Sequence, residues 1–588
     1  MRILGPLDKV TGSCIWMHDE SQDIEFLVDC GQQQGEFAES EWNEGRFPFD
    51  PARLRFVLLT HAHLDHCGLL PVLVRRGFQG TVFCTEETKE LALLNLGDAL
   101  KHTTVFEKAD IDGLRWHQHD GAVLAQRHPV ANDLWIRYSR SGHILGAVSI
   151  EVSWGPIDAQ RTIIFSGDLG ANDDEAEHLP LMRHVMRPSP VDYAVLESTY
   201  GDRSRGPDER SFHARLDAWR EILKNTLVEK AGVVVVPAFS IGRTQDVLFD
   251  LTFLAAAEPD LFAHAPIYFD SPMAAKANRV YARALKKADR VHSRVRPLWL
   301  NRRTFEWLGL QRDLQEDVNV VHALLDEALG EGSREVMERL RDHANPLVRN
   351  WHRIFRTTKK KRSDGLEGPA LLITGGGMME GGPILEYVEA LLSRPDATLV
   401  FTGFASPSTI AGKLLEFSRL DAMDRDRRTD ALAWHDAAGQ YHELPLAHVR
   451  CDFRRVRGYT GHADQRQLVN WVVREHKGKP LLAAPVVFLV HGSPNARTVL
   501  ASELYTAVGA MREARAADFP TFGDGFRVAL PTRENTWFDL DVGDWIIDEP
   551  NERASLRGTV RRLQQENARL RRENEGLRAE LTQVRECG

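Results

Sequence analysis

Three histidines and an aspartate stand within six residues, as His61, His63, Asp65 and His66 in the run Thr60-His61-Ala62-His63-Leu64-Asp65-His66-Cys67-Gly68. Imidazole and carboxylate are the donors that Zn²⁺ takes in hydrolytic sites. On a loop, donors at i, i+2, i+4 and i+5 can converge without a regular helix, so the run reads as a metal site. A pair of metal ions needs more donors, one of them bridging. His143 (in Ser141-Gly142-His143-Ile144), Asp168 (in Ser166-Gly167-Asp168) and His491 (in Val490-His491-Gly492) are the candidates. A carboxylate has two oxygens and can span metals roughly 3.5–4 Å apart. Taken singly, each of these three also reads as an ordinary strand-end residue; their succession along the chain gives them weight.

These residues need elements to hold them. Phe26-Leu27-Val28 runs into Asp29, Arg55 to Thr60 into the histidine loop, Thr162 to Phe165 into the Asp168 turn, and Tyr193 to Leu196 into Glu197. Such short apolar runs with polar C-terminal ends read as buried strands. In layered α/β folds, sites gather where several strand ends meet. From about 208 to 400 the chain is more helical, punctuated by Val233–Val236, Pro266–Phe269 and Ala370–Ile373, which suggests a second α/β unit. The basic run Lys359–Arg362 reads as an exposed loop, with contact to a nucleic-acid backbone as the alternative.

Length and composition bound the rest. The chain has 588 residues, 43% hydrophobic and 27% charged, enough for about three to four domain-sized units. Six scattered cysteines with no C-x-x-C pair argue against a disulfide framework and for a reducing, cytoplasmic setting. No apolar run approaches a membrane span, and the N-terminus lacks a signal-peptide pattern. A net charge of −10 argues against binding nucleic acid by global charge, not against a local basic groove.

The tail differs in kind. Leu556, Leu563, Leu570, Leu577 and Val584 recur every seven residues. With these at d, Val560, Asn567, Asn574 and Leu581 fall at a. This narrow stripe predicts a coiled coil over 553–588, and Asn at a favours a parallel two-stranded register. A helix docked on its own domain is the alternative.

The order of these motifs resembles the metallo-β-lactamase superfamily and, within it, the β-CASP branch of nucleases. The likeness rests on His61-x-His63-x-Asp65-His66, His143 and Asp168, on Glu197-Ser198-Thr199-Tyr200-Gly201-Asp202-Arg203, and on Pro237-Ala238-Phe239-Ser240-Ile241-Gly242-Arg243. It continues through Phe269-Asp270-Ser271-Pro272-Met273, Gly376-Gly377-Met378-Met379-Glu380-Gly381, Gly458-Tyr459-Thr460-Gly461-His462-Ala463-Asp464 and Val490-His491-Gly492, covering about residues 1–510. The resemblance implies an α/β fold: an αββα sandwich with an inserted α/β cap and, beyond it, the coiled coil. The expected divisions are 1–205 (first part of the sandwich), 206–399 (cap), 400–515 (return), 516–552 (an appended segment) and 553–588 (coiled coil).

Residue by residue, the resemblance implies two zinc ions per subunit, with Mn²⁺ as the alternative. One would be held by His61, His63, His143 and Asp168, the other by Asp65, His66, Asp168 and His491. Asp29 would orient a metal-bound histidine. Asp65, Glu197 and His462 would be catalytic, the last two beside the leaving group. Arg203, Ser240, Arg243, Lys276, Gly377 and Met378 sit in or near matching motifs and are the candidate substrate contacts. A histidine in the last motif, here His491, marks RNA-directed members, where DNA-directed ones carry valine. The implied activity is hydrolysis of single-stranded RNA by a homodimer. A DNA nuclease of the same fold, or an inactive scaffold of a nuclease complex, are the alternatives; a further protein partner and endo- versus 5′-exonucleolytic action stay open. Ser493, where relatives carry Glu, and the segment Gly403–Lys413 depart from the usual pattern without touching a donor.

Overall fold

The computed structural model describes residues 1–546 apart from 35–39, 102, 120–123, 157–159, 174–176, 187–189, 264, 292–293, 358–365, 367, 404, 437–438, 474–481, 516–524 and 534–536. The heptad tail and the Lys359–Arg362 run lie outside the described residues.

The first sheet holds β1 (Arg2–Gly5), β2 (Cys14–Asp19), β3 (Ile24–Val28), β4 (Leu54–Leu58), β5 (Thr81–Thr85) and β6 (Arg115–His119), in that spatial order. The first three are antiparallel and β3 to β6 are parallel. β3 and β4 are apolar almost throughout because both of their faces are covered, as parallel strands require. Phe26 stacks on Phe56 at 4.6 Å between them.

The second sheet begins with β7 (Arg127–Ala131), β8 (Leu134–Arg140), β9 (Val148–Trp154), β10 (Arg161–Phe165) and β11 (Val191–Glu197). After β11 the chain leaves for the cap. There β12 (Val233–Ala238), β13 (Ile267–Asp270), β14 (Phe355–Thr357), β15 (Ala370–Gly375), β16 (Ala397–Phe401) and β17 (Asp452–Arg455) form an all-parallel sheet in the order β14-β13-β15-β12-β16-β17. Side chains alternate across β12. Val234 and Val236 share a cluster with Val247, Leu248 and Leu251 of the helix Arg243–Ala257. Val233 and Val235 share another with Ala411 and Leu414 of the helix Ile410–Phe417. The cap is therefore wound on both faces, the arrangement of α/β units with right-handed crossovers.

The chain then returns. β18 (Leu482–Val490) lies parallel to β11, and β19 (Arg527–Ala529) to β18, completing the second sheet as β19-β18-β11-β10-β9-β8-β7. Trp471 of the helix Gln465–Val473 and Leu500 and Leu504 of the helix Pro494–Arg515 cover its outer face with Ala194, Leu196 and Leu489. Helices Leu70–Arg75 and Glu86–Ala99 follow β4 and β5 and pack on the first sheet. The result is the αββα sandwich with an inserted cap.

One detail differs from the sequence reading. β17 hydrogen-bonds into the cap sheet, so the cap takes chain as far as 455, and the expected division at 399 does not hold for the sheet. The run around Phe401 reads as the first strand of the return because nothing local separates a cap strand from a sandwich strand; only pairing does. Beyond 516, β19 extends the second sheet, and the hairpin at Phe538–Trp545 packs Phe538 on Phe488 at 4.8 Å and gives its carbonyl to Met1.

Candidate active site

Six strand ends converge. Asp29 follows β3, the histidine loop follows β4, His143 lies between β8 and β9, Asp168 follows β10, Glu197 ends β11, and His491 follows β18. Parallel strands bring their C-terminal ends to one edge, so residues far apart in sequence share one place. Close packing there excludes side chains at some positions. A Cβ at Gly31 would sit 1.6 Å from the Asp65 carbonyl oxygen, so only glycine lets the strand after Asp29 run beneath the Asp65–His66 turn.

The donors fall into two groups around one carboxylate. Asp168 Oδ2 lies 3.5 Å from both His61 Nε2 and His143 Nε2. His63 Nδ1 lies 3.2 Å from His61 Nε2 and 3.1 Å from His143 Nε2. On the other side, Asp168 Oδ1 lies 3.4 Å from His66 Nε2 and 3.6 Å from His491 Nε2, and His491 Nε2 is 3.4 Å from Asp65 Oδ2. His61, His63, His143 and Asp168 present donor atoms all within 4.8 Å of one another, as do Asp65, His66 and His491.

The donor set fits divalent cations. Asp168 Oδ1 is buried and takes no hydrogen bond among the described residues, a costly state unless a cation faces it. Burial holds His61 and His143 well below the usual imidazole range, in the neutral form that ligates. For His66, burial acts the same way, but Asp168 and Asp29 outweigh it and raise it well above. The pocket thus draws positive charge to the place where a metal would sit. Burial raises Asp168, yet His491, His66 and His61 more than offset this and keep it a carboxylate.

A shell of partners fixes the rings. Asp29 Oδ2 lies 2.7 Å from His66 Nδ1 and accepts from Thr60 Oγ1 at 2.8 Å, while Asp29 Oδ1 accepts from the Thr60 N–H at 2.8 Å. His143 Nδ1 meets the Gly461 carbonyl at 2.8 Å, and His491 Nδ1 meets Thr199 Oγ1 at 3.1 Å. Such partners set tautomer and ligand basicity. Asp29 and His491 both sit in the left-handed region, with φ of 59° and 56°, a departure that non-glycine residues show mostly at functional sites. Thr60, Thr199 and the Gly461 carbonyl were not singled out from sequence; the one available signal was that each ligating imidazole needs a partner for its other nitrogen.

His462 stands at the mouth of this centre. Its Nδ1 is 3.4 Å from Glu197 Oε1 and its Nε2 is 3.9 Å from Asp168 Oδ2. Glu197 is held in turn: Oε1 accepts from the Leu169 N–H at 2.7 Å and Oε2 from the Thr199 N–H at 3.2 Å. Burial favours neutral His462, but Glu197 and Asp168 outweigh it, and its pKa is pushed up to about 10. Tyr200 meets the His462 ring edge-on at 6.0 Å.

The candidate substrate contacts scatter more. Arg203 lies over Tyr200 at 5.7 Å and pairs with Glu209 at 2.8 Å. Arg243 lies over the Tyr459 ring at 5.7 Å and donates to the Thr402 carbonyl. Ser240 Oγ meets Ser271 Oγ at 3.3 Å, and the Met378 carbonyl accepts from the Ala411 N–H at 3.2 Å. Gly377 packs on Phe239. Lys276 is exposed on the helix Pro272–Ala284, and no contact among the described residues ties it to the donor groups. A further cluster, His18, Asp23 and Glu25, already has its cation: Arg53 lies 3.1 Å from Asp23 and 2.9 Å from Glu25.

Three family models match in succession: the beta-lactamase superfamily domain over 25–231, the Beta-Casp domain over 244–414, and the Zn-dependent metallo-hydrolase RNA specificity domain over 446–516. Ribonuclease TTHA0252 of Thermus thermophilus is 29% identical over 503 residues, 84% of this chain and 93% of that protein. Transcription termination factor FttA of Methanosarcina mazei is 25% identical over 522 residues, 85% of this chain and 68% of that protein. FttA of Methanothermobacter thermautotrophicus is 24% identical over 521 residues, with the same shares. The chain belongs to the β-CASP branch of the metallo-β-lactamase superfamily and is a metal-dependent nuclease of its RNA-directed group. No helix among the described residues is long and apolar enough to cross a membrane.

Proposed function

We propose that the chain is a two-zinc ribonuclease that hydrolyses phosphodiester bonds of single-stranded RNA. His61, His63, His143 and Asp168 would hold one ion, and Asp65, His66, Asp168 and His491 the other. Bound ions supply Lewis acidity towards a phosphoryl oxygen and lower the pKa of water. Asp29 holds the His66 ring and Thr199 the His491 ring, which fixes where the donors point. Glu197 holds His462 as an imidazolium whose Nε2–H can pass to the departing ribose 3′-oxygen, the task of a general acid. Asp65, at the rim of the second group, serves as ligand and helps keep His491 in place.

The observation that carries this reading is the position of His462, between Glu197 and the shared Asp168. A purely structural histidine would not need one ring nitrogen set on a buried carboxylate and the other left facing the metal-donor cluster. RNA is favoured over DNA by the match to an RNA specificity domain over 446–516, the segment that supplies His462 and His491. The tail 553–588 would make the enzyme a homodimer.

One gel tests it. Zinc-loaded protein is incubated with 5′-labelled single-stranded RNA and DNA of equal sequence, beside an Asp65→Ala/His66→Ala control. RNA-selective cutting that the control lacks supports the reading. DNA cut as fast as RNA overturns the substrate, and no cutting of either strand overturns the enzyme.

A further inference from the structure

The cap carries a pocket of its own. It is a shallow crevice beyond the C-terminal ends of β12, β15 and β16, lined by Phe239, Gly377, Phe401, Thr402, Gly403 and Ala405. Its place in the fold is informative. From β12 the chain crosses through the helix Arg243–Ala257 towards β13. From β16, the neighbour of β12 on the other side, it leaves through the helix Ile410–Phe417 towards β17. The two helices lie on opposite faces of the sheet, as the separate clusters around Val234 and Val233 show. Adjacent strands whose connections part in this way leave a crevice between their C-terminal ends, and open α/β sheets bind ligands there.

The pocket's chemistry narrows the ligand. Phe239 is 37% exposed, an aromatic ring left open at a cleft. Its backing is glycine: a Cβ on Gly377 would lie 3.2 Å from Phe239 Cδ2, and one on Gly403 would lie 3.7 Å from Phe239 Cε2 and 2.6 Å from Arg243 Nη1. Two walls without side chains keep one flat ring seated while leaving a slot beside it. The turn after Phe239 also abuts the hydrolytic centre: a Cβ on Gly242 would touch Ile144 at 3.3 Å, and Ile144 follows the donor His143.

We propose that this pocket is a nucleobase subsite, in which one unpaired base of the bound RNA stacks on Phe239 at a fixed distance from the bond being cut. The proposal rests on the ribonuclease reading above and adds a residue, Phe239, and a contact, base stacking, to it. Stacking on an aromatic ring tolerates any base, so the subsite would set register along the strand rather than sequence.

The test is a double-mutant cycle between protein and RNA. Zinc-loaded full-length protein in a His462→Ala background is titrated with a labelled oligoribonucleotide, and a single abasic position is then moved along the strand. A gel of the recovered strand confirms that it stayed whole. We expect one register at which the abasic site weakens binding about tenfold. Phe239→Leu should lower affinity for the intact strand by a similar factor and abolish the abasic effect at that register only, whereas Phe239→Trp should preserve both. Equal affinity for Phe239→Leu, or abasic costs that do not depend on residue 239, overturns the subsite. A nucleoside 5′-monophosphate is titrated in parallel. If it binds in a Phe239-dependent way while every abasic strand binds alike, the pocket takes a free nucleotide and the strand register is wrong. Cleavage is scored separately with the native His462. Register coupling without hydrolysis sinks the ribonuclease reading and leaves the base site standing; hydrolysis without coupling does the reverse.

Discussion

Asp29 and His66 form the closest carboxylate–imidazole pair at the donor groups, with Oδ2 2.7 Å from Nδ1, both side chains buried, and Thr60 donating twice to the same carboxylate. The carboxylate does not face the metal position; it points the ring that does. Asp29→Asn keeps the shape and loses the charge. Zinc affinity should fall about 10–100-fold, measured by competition with a chromogenic chelator, and excess zinc should restore most cleavage. Unchanged affinity would mean that Asp29 serves only to pin Thr60.

His462 is predicted to separate chemistry from metal binding. His462→Ala should keep its zinc content and lose about 10²–10⁴ in cleavage rate, the usual worth of a positioned acid. Glu197→Gln should follow it in part, since Gln can hold the ring without favouring the imidazolium. Metal analysis beside single-turnover kinetics checks both. Loss of zinc in His462→Ala would place the residue among the ligands instead.

How much of this was legible in the sequence depended on how local the signal was. The donors His61, His63, Asp65 and His66 are adjacent in the chain, and rare types at tight spacing speak for themselves. His143, Asp168 and His491 were legible only as a succession, and the structure brings the two histidines to opposite oxygens of the Asp168 carboxylate. The end of the cap was not legible. β17 reads like any short strand, and its membership is decided by pairing with β16 across 50 residues of chain. Phe239 was legible as part of a motif but not as an open ring, because its exposure depends on glycines at 377 and 403 that reach it from other strands.

Metal removal should cost stability as well as activity. Neighbouring donors lie 3.1–3.6 Å apart with several histidines facing each other, so the cluster without metal repels itself and strands Asp168 Oδ1. Adding a chelator should lower Tm, and zinc should restore it in a concentration-dependent way, as linkage demands of any ligand specific to the folded state. A Tm that ignores both would deny a metal role to these residues.

The heptads at 553–588 lie outside the described residues, and their prediction stands on sequence. Deleting them should turn a dimer into a monomer by light scattering in solution, with zinc content unchanged. A dimer that survives the deletion would point to an interface in the folded core.

A last prediction concerns a carboxylate that the chemistry does not use. Asp246, on the first turn of the helix Arg243–Ala257, is buried with Oδ1 lacking a hydrogen-bond partner among the described residues. Burial raises its pKa and Asp250 adds to this; Arg215 and Arg243 oppose, and the balance leaves it at about 7. Arg215 is committed elsewhere, to Asp250 at 2.7 Å. In the unfolded chain Asp246 titrates near 3.9. The folded form therefore holds its proton more tightly, and stability from this group is full below about pH 4 and is lost as pH rises through 7, by up to about 1.4 kcal/mol per pH unit between the two values. Asp246→Asn cannot lose that proton. The wild-type Tm should match or exceed that of Asp246→Asn at pH 5 and fall below it at pH 8, measured by thermal unfolding of the zinc-loaded proteins. A gap that stays constant between the two pH values would show that Asp246 keeps one protonation state across that range and would overturn the titration.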